Sequence, residues 1–348
     1  MKILVLYEEL AWYFINCMNT VAANYDCQVL ILCKSPNNNA PFNFHYLHPN
    51  ITIKTREQFN DEQLLQECKA FAPDGIFTGG WAHKPYLGVI RALKVSKSVI
   101  GFDNHWTGSV KQRVGAFYFK QALKPLFQYA FVPGTPQSAF AGRLGFNDKH
   151  IIKGAYCCDH DLFSKYFKDN EAEKSNNFPK RFLFVGRYAS EKGIEDLWSA
   201  FIQWQKEKPS EWELWCVGKG ELTCPSHPRV KHFGFVQPDQ MTDIVRQTGI
   251  FVLPSTFEPW GVVVHEYATA GFPLLCSQKT GAAETFLEDG SNGFLFEAGD
   301  REQLKEKINI FSTLNQDALL AMSKKSTELA NRITPQKWAQ NLVKMYGL

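Results

Sequence analysis

The 348-residue sequence has no run near the ~20 apolar residues that a membrane span requires. It has no CxxC pair and no Cys/His cluster at zinc spacing, so its nine cysteines read as reduced thiols and not as a zinc site. Cys33, Cys216 and Cys276 sit inside apolar, strand-like runs, the usual place for buried thiols. Cys157 and Cys158 are adjacent, with nothing nearby that points to redox chemistry. A G-x-G-x-x-G loop is missing after the first apolar run, which argues against a plain NAD dehydrogenase. Low-complexity segments and repeats of solenoid period are also missing. The N-terminus MKILVLYEEL meets acidic residues after one strand's length, which predicts a core strand and not a signal peptide, and so a cytoplasmic chain.

Acidic residues are scarce in one region. Residues 81–153 hold 11 basic side chains against Asp103 and Asp148 alone. Residues 1–168 carry 18 basic and 12 acidic side chains, and the remainder carries 20 and 23, giving the net +3. A solvated basic face, an anionic membrane surface on the inner side, or a phosphate-bearing acceptor would each fit the 81–153 imbalance. No nucleic-acid-binding motif accompanies it.

What is present is an alternation of short apolar runs with helix-length segments, the pattern of parallel sheets flanked by helices. Strands are predicted at Lys2–Tyr7, Cys27–Cys33, Gly75–Thr78, Ser98–Phe102 and Tyr129–Val132. The polar stretch 167–180 (ending KDNEAEKSNNFPK) reads as a linker. The alternation then restarts with strands at Arg181–Val185, Glu213–Val217, Val230–Phe233, Ile250–Leu253 and Pro273–Cys276. The expected architecture is α/β, with two doubly wound, Rossmann-like domains facing across a cleft: 1–166 on the acceptor side and 181–333 on the donor side.

Two motifs in the second half carry chemistry. In FLFVGRYASEKG, 182–193, a strand ends at Val185, Gly186 turns the backbone, and Arg187 and Lys192 lie in the loop leading to a helix. Two cations at the carboxyl end of a parallel strand suit a diphosphate, although an ordinary surface loop has the same spacing. In PSTFEPWGVVVHEYATAGFP, 254–273, Glu258 precedes a helix that begins near Val262, and Glu266 falls about one turn inside it. Carboxylates accept hydrogen bonds from vicinal hydroxyls, and amides around Gly261, Val262 and Val263 can take phosphate oxygens. Helix capping by Glu258 and solvation of Glu266 are the plainer alternatives.

These segments, followed by A-x-x-G-x-P and GAAETFLEDGSNGFLF, resemble glycosyltransferase family 4, retaining enzymes of GT-B fold that use nucleotide diphosphate sugars. The resemblance covers about Arg181 to Asp300. It implies that Gly186, Arg187 and Lys192 hold the diphosphate and that Glu266 takes the ribose hydroxyls. Glu258 would contact the transferred sugar, amides of Gly261, Val262 and Val263 would support sugar and phosphate, and Phe235 and Val236 would cup the nucleobase. Gly281 and Glu284 would shape the following loop. No cofactor or metal is implied. The partners are a nucleotide sugar donor and a saccharide or glycolipid acceptor.

The first half departs from the family. In place of a glycine-rich loop after strand 1 it has Tyr7-Glu8-Glu9-Leu10-Ala11-Trp12, which suggests Glu8 or Glu9 for acceptor hydroxyls, with capping of the first helix as the alternative. His105 follows the Ser98–Phe102 strand, where family members often carry a histidine near the reacting centre; a structural histidine would also fit. Trp81 after Gly79-Gly80 is an aromatic suited to sugar stacking. Residues 334–348, with Trp338, resemble the GT-B tail helix that crosses back to the first domain. The alternatives to transfer are a GT-B-fold sugar-nucleotide epimerase and a non-catalytic sugar-binding protein.

Overall fold

The computed structural model describes residues 1–35 and 46–347. Two compact units divide the chain: 1–157 with 333–348, and 158–332. Among the described residues, the first unit carries a parallel sheet of β1 (Lys2–Leu6), β2 (Gln28–Cys33), β3 (Ile51–Thr55), β4 (Gly75–Gly79), β5 (Ser98–Gly101), β6 (Tyr129–Val132) and β7 (Ile151–Lys153). Their order across the sheet is β3-β2-β1-β4-β5-β6-β7. Connecting helices are α1 (Trp12–Tyr25), α2 (Asp61–Phe71), α3 (Lys84–Leu93), α4 (Val110–Tyr118) and α5 (Thr135–Arg143). Central strands are apolar on both faces because helices cover both: Leu4, Leu6, Ile76, Ile100 and Val132 join one core with Phe119 and Phe140.

The second unit opens with α6 (His160–Asn176). It continues through β8 (Arg181–Val185), α7 (Ile194–Glu207), β9 (Glu213–Val217), β10 (Val230–His232), α8 (Thr242–Gln247), β11 (Ile250–Leu253) and α9 (Val262–Thr269). It ends with β12 (Leu274–Ser277), α10 (Ala283–Phe286), β13 (Gly293–Phe296), α11 (Arg301–Thr313) and α12 (Gln316–Ala330). The strands are parallel in the order β10-β9-β8-β11-β12-β13. Strand order therefore reverses between β1 and β4 in one sheet and between β8 and β11 in the other. Those are the switch points at which doubly wound sheets bind ligands.

The segment read as a linker, 167–180, is helical as far as Asn176. Asp159 caps that helix, accepting from the Leu162 amide at 3.2 Å. Its buried face is Phe163, Tyr166, Asn170 and Lys174, spaced as a helix requires but half polar, which hid it from a count of apolar residues. Asn170 Nδ2 donates to the Tyr166 carbonyl at 2.7 Å, and the Lys174 ammonium lies 3.9 Å from the Phe272 ring centroid. The units accordingly divide at Cys157, not at residue 166. The tail helix α13 (Pro335–Met345) belongs to the first unit, where buried Trp338 donates to the Ala155 carbonyl and meets Phe14 edge-on. Leu348, at the end of the predicted tail, lies outside the described residues.

Candidate active site

The loops that leave β8 and β11 meet at the switch point of the second sheet. The amides of Thr256 and Phe257 donate to the Glu191 carbonyl at 2.9 and 3.3 Å, so the β11 loop is hung on the β8 loop. Gly193 has φ +64°, and a Cβ there would stand 2.1 Å from the Pro254 carbonyl oxygen; only glycine lets the two loops approach this closely. That approach brings Lys192 Nζ onto the Glu258 carboxylate. The pair is largely buried, with 18% and 11% of its side chains exposed, and Ser255 Oγ lies 3.5 Å from the same carboxylate oxygen. The Glu258 amide donates to the Lys279 carbonyl, and the Glu258 carbonyl accepts from the Gly281 amide at 3.0 Å. Glu258 is thus fixed at backbone and side chain, and it does not cap the helix that follows.

Gly261 precedes α9 with φ +90°; a Cβ would meet Glu258 Cγ at 2.9 Å. No side chain caps α9, which leaves the first-turn amides at Val262 and Val263 directed toward any anion or sugar oxygen held there. Glu266 lies one turn further in, half-buried. Among the described residues no cation or donor pairs with its carboxyl. Burial pushes its pKa up to about 8, and the Asp159 carboxylate adds to the rise. One carboxylate of the motif is therefore paired with lysine, and the other has no such partner among the described residues.

Arg187 is exposed and reaches Glu191 at 3.3 Å, so it stands in the mouth of the β8 loop while Lys192 lies inside. The Gly186 amide donates to the Val217 carbonyl at 3.0 Å, extending the β8–β9 ladder by one residue. Phe235 and Val236 are half-buried in the loop that leaves β10, at the same edge of the sheet and two strands from β8. Glu284 is exposed on α10. Sequence reasoning missed Ser255, which lies three residues before Glu258 in the same loop, and Asp159, whose relation to Glu266 arises only when distant segments pack.

In the first unit, the Glu8 carboxylate pairs with Lys34 at 2.9 Å, and Glu9 is exposed. Neither caps α1, whose N-cap is Ala11 with no side-chain bond. His105 is half-buried in the segment between β5 and α4, and its carbonyl accepts from Gln112 Nε2 at 2.6 Å. Trp81 is half-buried and packs edge-on against Phe119 and Phe102, with centroids 5.0 and 5.5 Å away. At the β1–β4 switch point stands a group that sequence reasoning did not find: Tyr7, Tyr13 and Tyr156. Tyr13 and Tyr156 have ring centroids 5.6 Å apart, and both phenols lie close to that of Tyr7. Burial, with Asp103 nearby, drives the Tyr7 pKa well up.

Residues 166–329 match the family described as glycosyl transferases group 1. Over this segment the chain is similar to the group 1 glycosyltransferases. The segment contains the Lys192–Glu258 pair and Glu266. Sulfoquinovosyl transferase SQD2 of Arabidopsis thaliana is 26% identical over 277 residues, or 71% of this chain and 51% of that protein. Alpha-monoglucosyldiacylglycerol synthase of Acholeplasma laidlawii is 25% identical over 211 residues, 58% of this chain and 50% of that one. The chain spans about half the length, or less, of the curated relatives it matches. Among solved structures, Anabaena Alr3699/HepE in complex with UDP and glucose superposes with a TM-score of 0.73 at 17% identity, covering 99% of this chain and 98% of that one. Sucrose-phosphate synthase (tll1590) from Thermosynechococcus elongatus gives 0.69 at 18% identity, covering 100% and 98%. Two Rossmann-like parallel sheets and these neighbours give the chain a GT-B fold. No helix among the described residues is long and apolar enough to cross a membrane.

Proposed function

We propose that the chain transfers a sugar from a nucleotide diphosphate sugar to an acceptor hydroxyl, with retention at the anomeric carbon, as a family 4 glycosyltransferase. The acceptor is a saccharide or glycolipid. The observation that carries this reading is the division of labour between the two glutamates at the β8–β11 switch point. Lys192 has two N–H donors besides the one directed at Glu258, and with Arg187 it supplies the charge that a leaving diphosphate needs. Glu266, unpaired and desolvated, is suited to accept two vicinal hydroxyls of a ribose, which would restore its ionised form. Glu258, fixed by Lys192 and its backbone bonds, is suited to orient the sugar hydroxyls. The work of the domain is then positioning and electrostatic stabilisation, without a metal. The likeness to HepE, solved with UDP and glucose, supports a nucleotide-sugar donor.

Incubation with UDP-, GDP- and ADP-sugars, with and without saccharide and lipid acceptors, tests the reading. Diphosphate release that rises with one acceptor, gives an α-linked product from an α-linked donor and survives EDTA is the expected result. A changed sugar nucleotide formed without any acceptor would replace transfer by epimerisation. Activity lost in EDTA and restored by Mn²⁺ would overturn the metal-free part.

A further inference from the structure

The basic region of the first unit contains a helix whose polarity is reversed. At 3.6 residues per turn, Gln112 and Ala116 of α4 face the core with Phe119, which follows the helix in a wider turn. Val110, Val114, Phe117 and Tyr118 fall on the opposite face, and they are 78%, 65%, 69% and 54% exposed. Large apolar side chains this exposed are few among the described residues, and four of them share this nine-residue helix. A contiguous apolar stripe of this kind marks a surface that something covers.

The flanks of the stripe say what. Lys111 lies on one side of it, and Arg113 and Lys120 lie on the other; all three are exposed. Among the described residues none of the three forms an ion pair. The sequence has no acidic residue from 104 to 147, while Lys124 and Arg143 add to the positive charge. A second copy would set these cations against its own. An anionic lipid surface instead accepts apolar side chains below the headgroups and cations at the phosphates.

We propose that α4, with the turn that follows it, is a membrane-surface anchor that inserts Val114, Phe117 and Tyr118 into an anionic bilayer. This inference does not depend on the glycosyltransferase reading, because its readout is vesicle binding. The full chain is sedimented with vesicles of phosphatidylcholine alone and of phosphatidylcholine mixed with phosphatidylglycerol, at low and high salt. Wild type should pellet with the anionic vesicles at low salt, lose most of that binding at high salt and bind neutral vesicles weakly. Val114→Ser with Phe117→Ser should weaken binding by more than about tenfold, and Lys111→Glu with Lys120→Glu should abolish the preference for anionic lipid. Because these side chains are exposed, the melting temperature should not move. In a Phe117→Trp chain, brominated anionic lipid should quench the new indole. Equal binding by wild type and the serine variant would overturn the proposal. So would a lipid-free dimer that the serine variant abolishes.

Discussion

Lys192 Nζ holds the carboxylate of Glu258 across two loops that leave neighbouring parallel strands, β8 and β11. The two residues are 66 positions apart in sequence. Their meeting depends on Gly193, which lets Pro254 approach the β8 loop, and on the Glu191 carbonyl that receives two amides from the β11 loop. The pair is thus a product of the switch point and fixes its geometry.

Removing one member leaves the other charged and poorly solvated. Lys192→Met should destabilise the chain by about 2–3 kcal/mol, whereas Lys192→Met with Glu258→Gln should cost clearly less than the sum of the two single changes. Urea unfolding of the four proteins measures the cycle. Additive losses would mean that the pair does not act as a unit.

Glu266 makes a different prediction, because its carboxyl waits for a partner. Glu266→Ala should weaken nucleotide-sugar binding more than about tenfold, while Glu258→Ala chiefly slows turnover. Its raised pKa also has a sign. From about 4.5 to about 8 the folded chain retains a proton that the unfolded chain releases, so this residue's contribution to stability declines as pH rises through that window. Melting curves of wild type and Glu266→Gln should converge at low pH and diverge above neutrality, with the glutamine variant higher.

Lys174 gives the opposite slope. Burial lowers its ammonium from 10.5 to about 7, so the unfolded chain binds the proton more tightly, and stability is lost as pH falls toward 7. Lys174→Met should raise the melting temperature by several degrees at pH 6 and lose that advantage near pH 10. A variant less stable at pH 6 would show that the ammonium over Phe272 contributes more than its desolvation costs.

In the first unit, His105→Ala should cut turnover by roughly 10²-fold and leave nucleotide affinity nearly unchanged. Glu8→Gln should raise the acceptor KM and spare slow hydrolysis of the donor, although it also loses the Lys34 pair. Kinetics corrected for the folded fraction separate these outcomes. A lower melting temperature with an intact rate per folded molecule would make His105 structural.

The class of fold, and the strand ends that carry the second unit's candidate residues, were legible in the chain itself. Buried parallel strands such as Phe182–Phe184 and Phe251–Leu253 are unbroken apolar runs, and the residues after each strand are where ligands of such sheets bind. Hence Lys192, Glu258 and Glu266 could be named from spacing. Short edge strands were not legible: β3 and β7 are only partly buried, so they lack the continuous apolar signal. Helix α6 was hidden because its buried face includes an asparagine, bonded back to the Tyr166 carbonyl one turn earlier, and a lysine packed on the distant Phe272 ring.

What the sequence determined by itself was therefore periodicity, charge balance and motif spacing, which are local quantities. Only the tertiary structure decided which charges meet. It placed Lys192 on Glu258, left Glu266 unpaired beside Asp159, packed Trp81 edge-on against the core and turned the apolar face of α4 outward. Each of these outcomes follows from segments far apart in the chain competing for the same space and the same water. An interaction energy of that kind is set by approach distance and burial, and the order of residues along the chain contains neither.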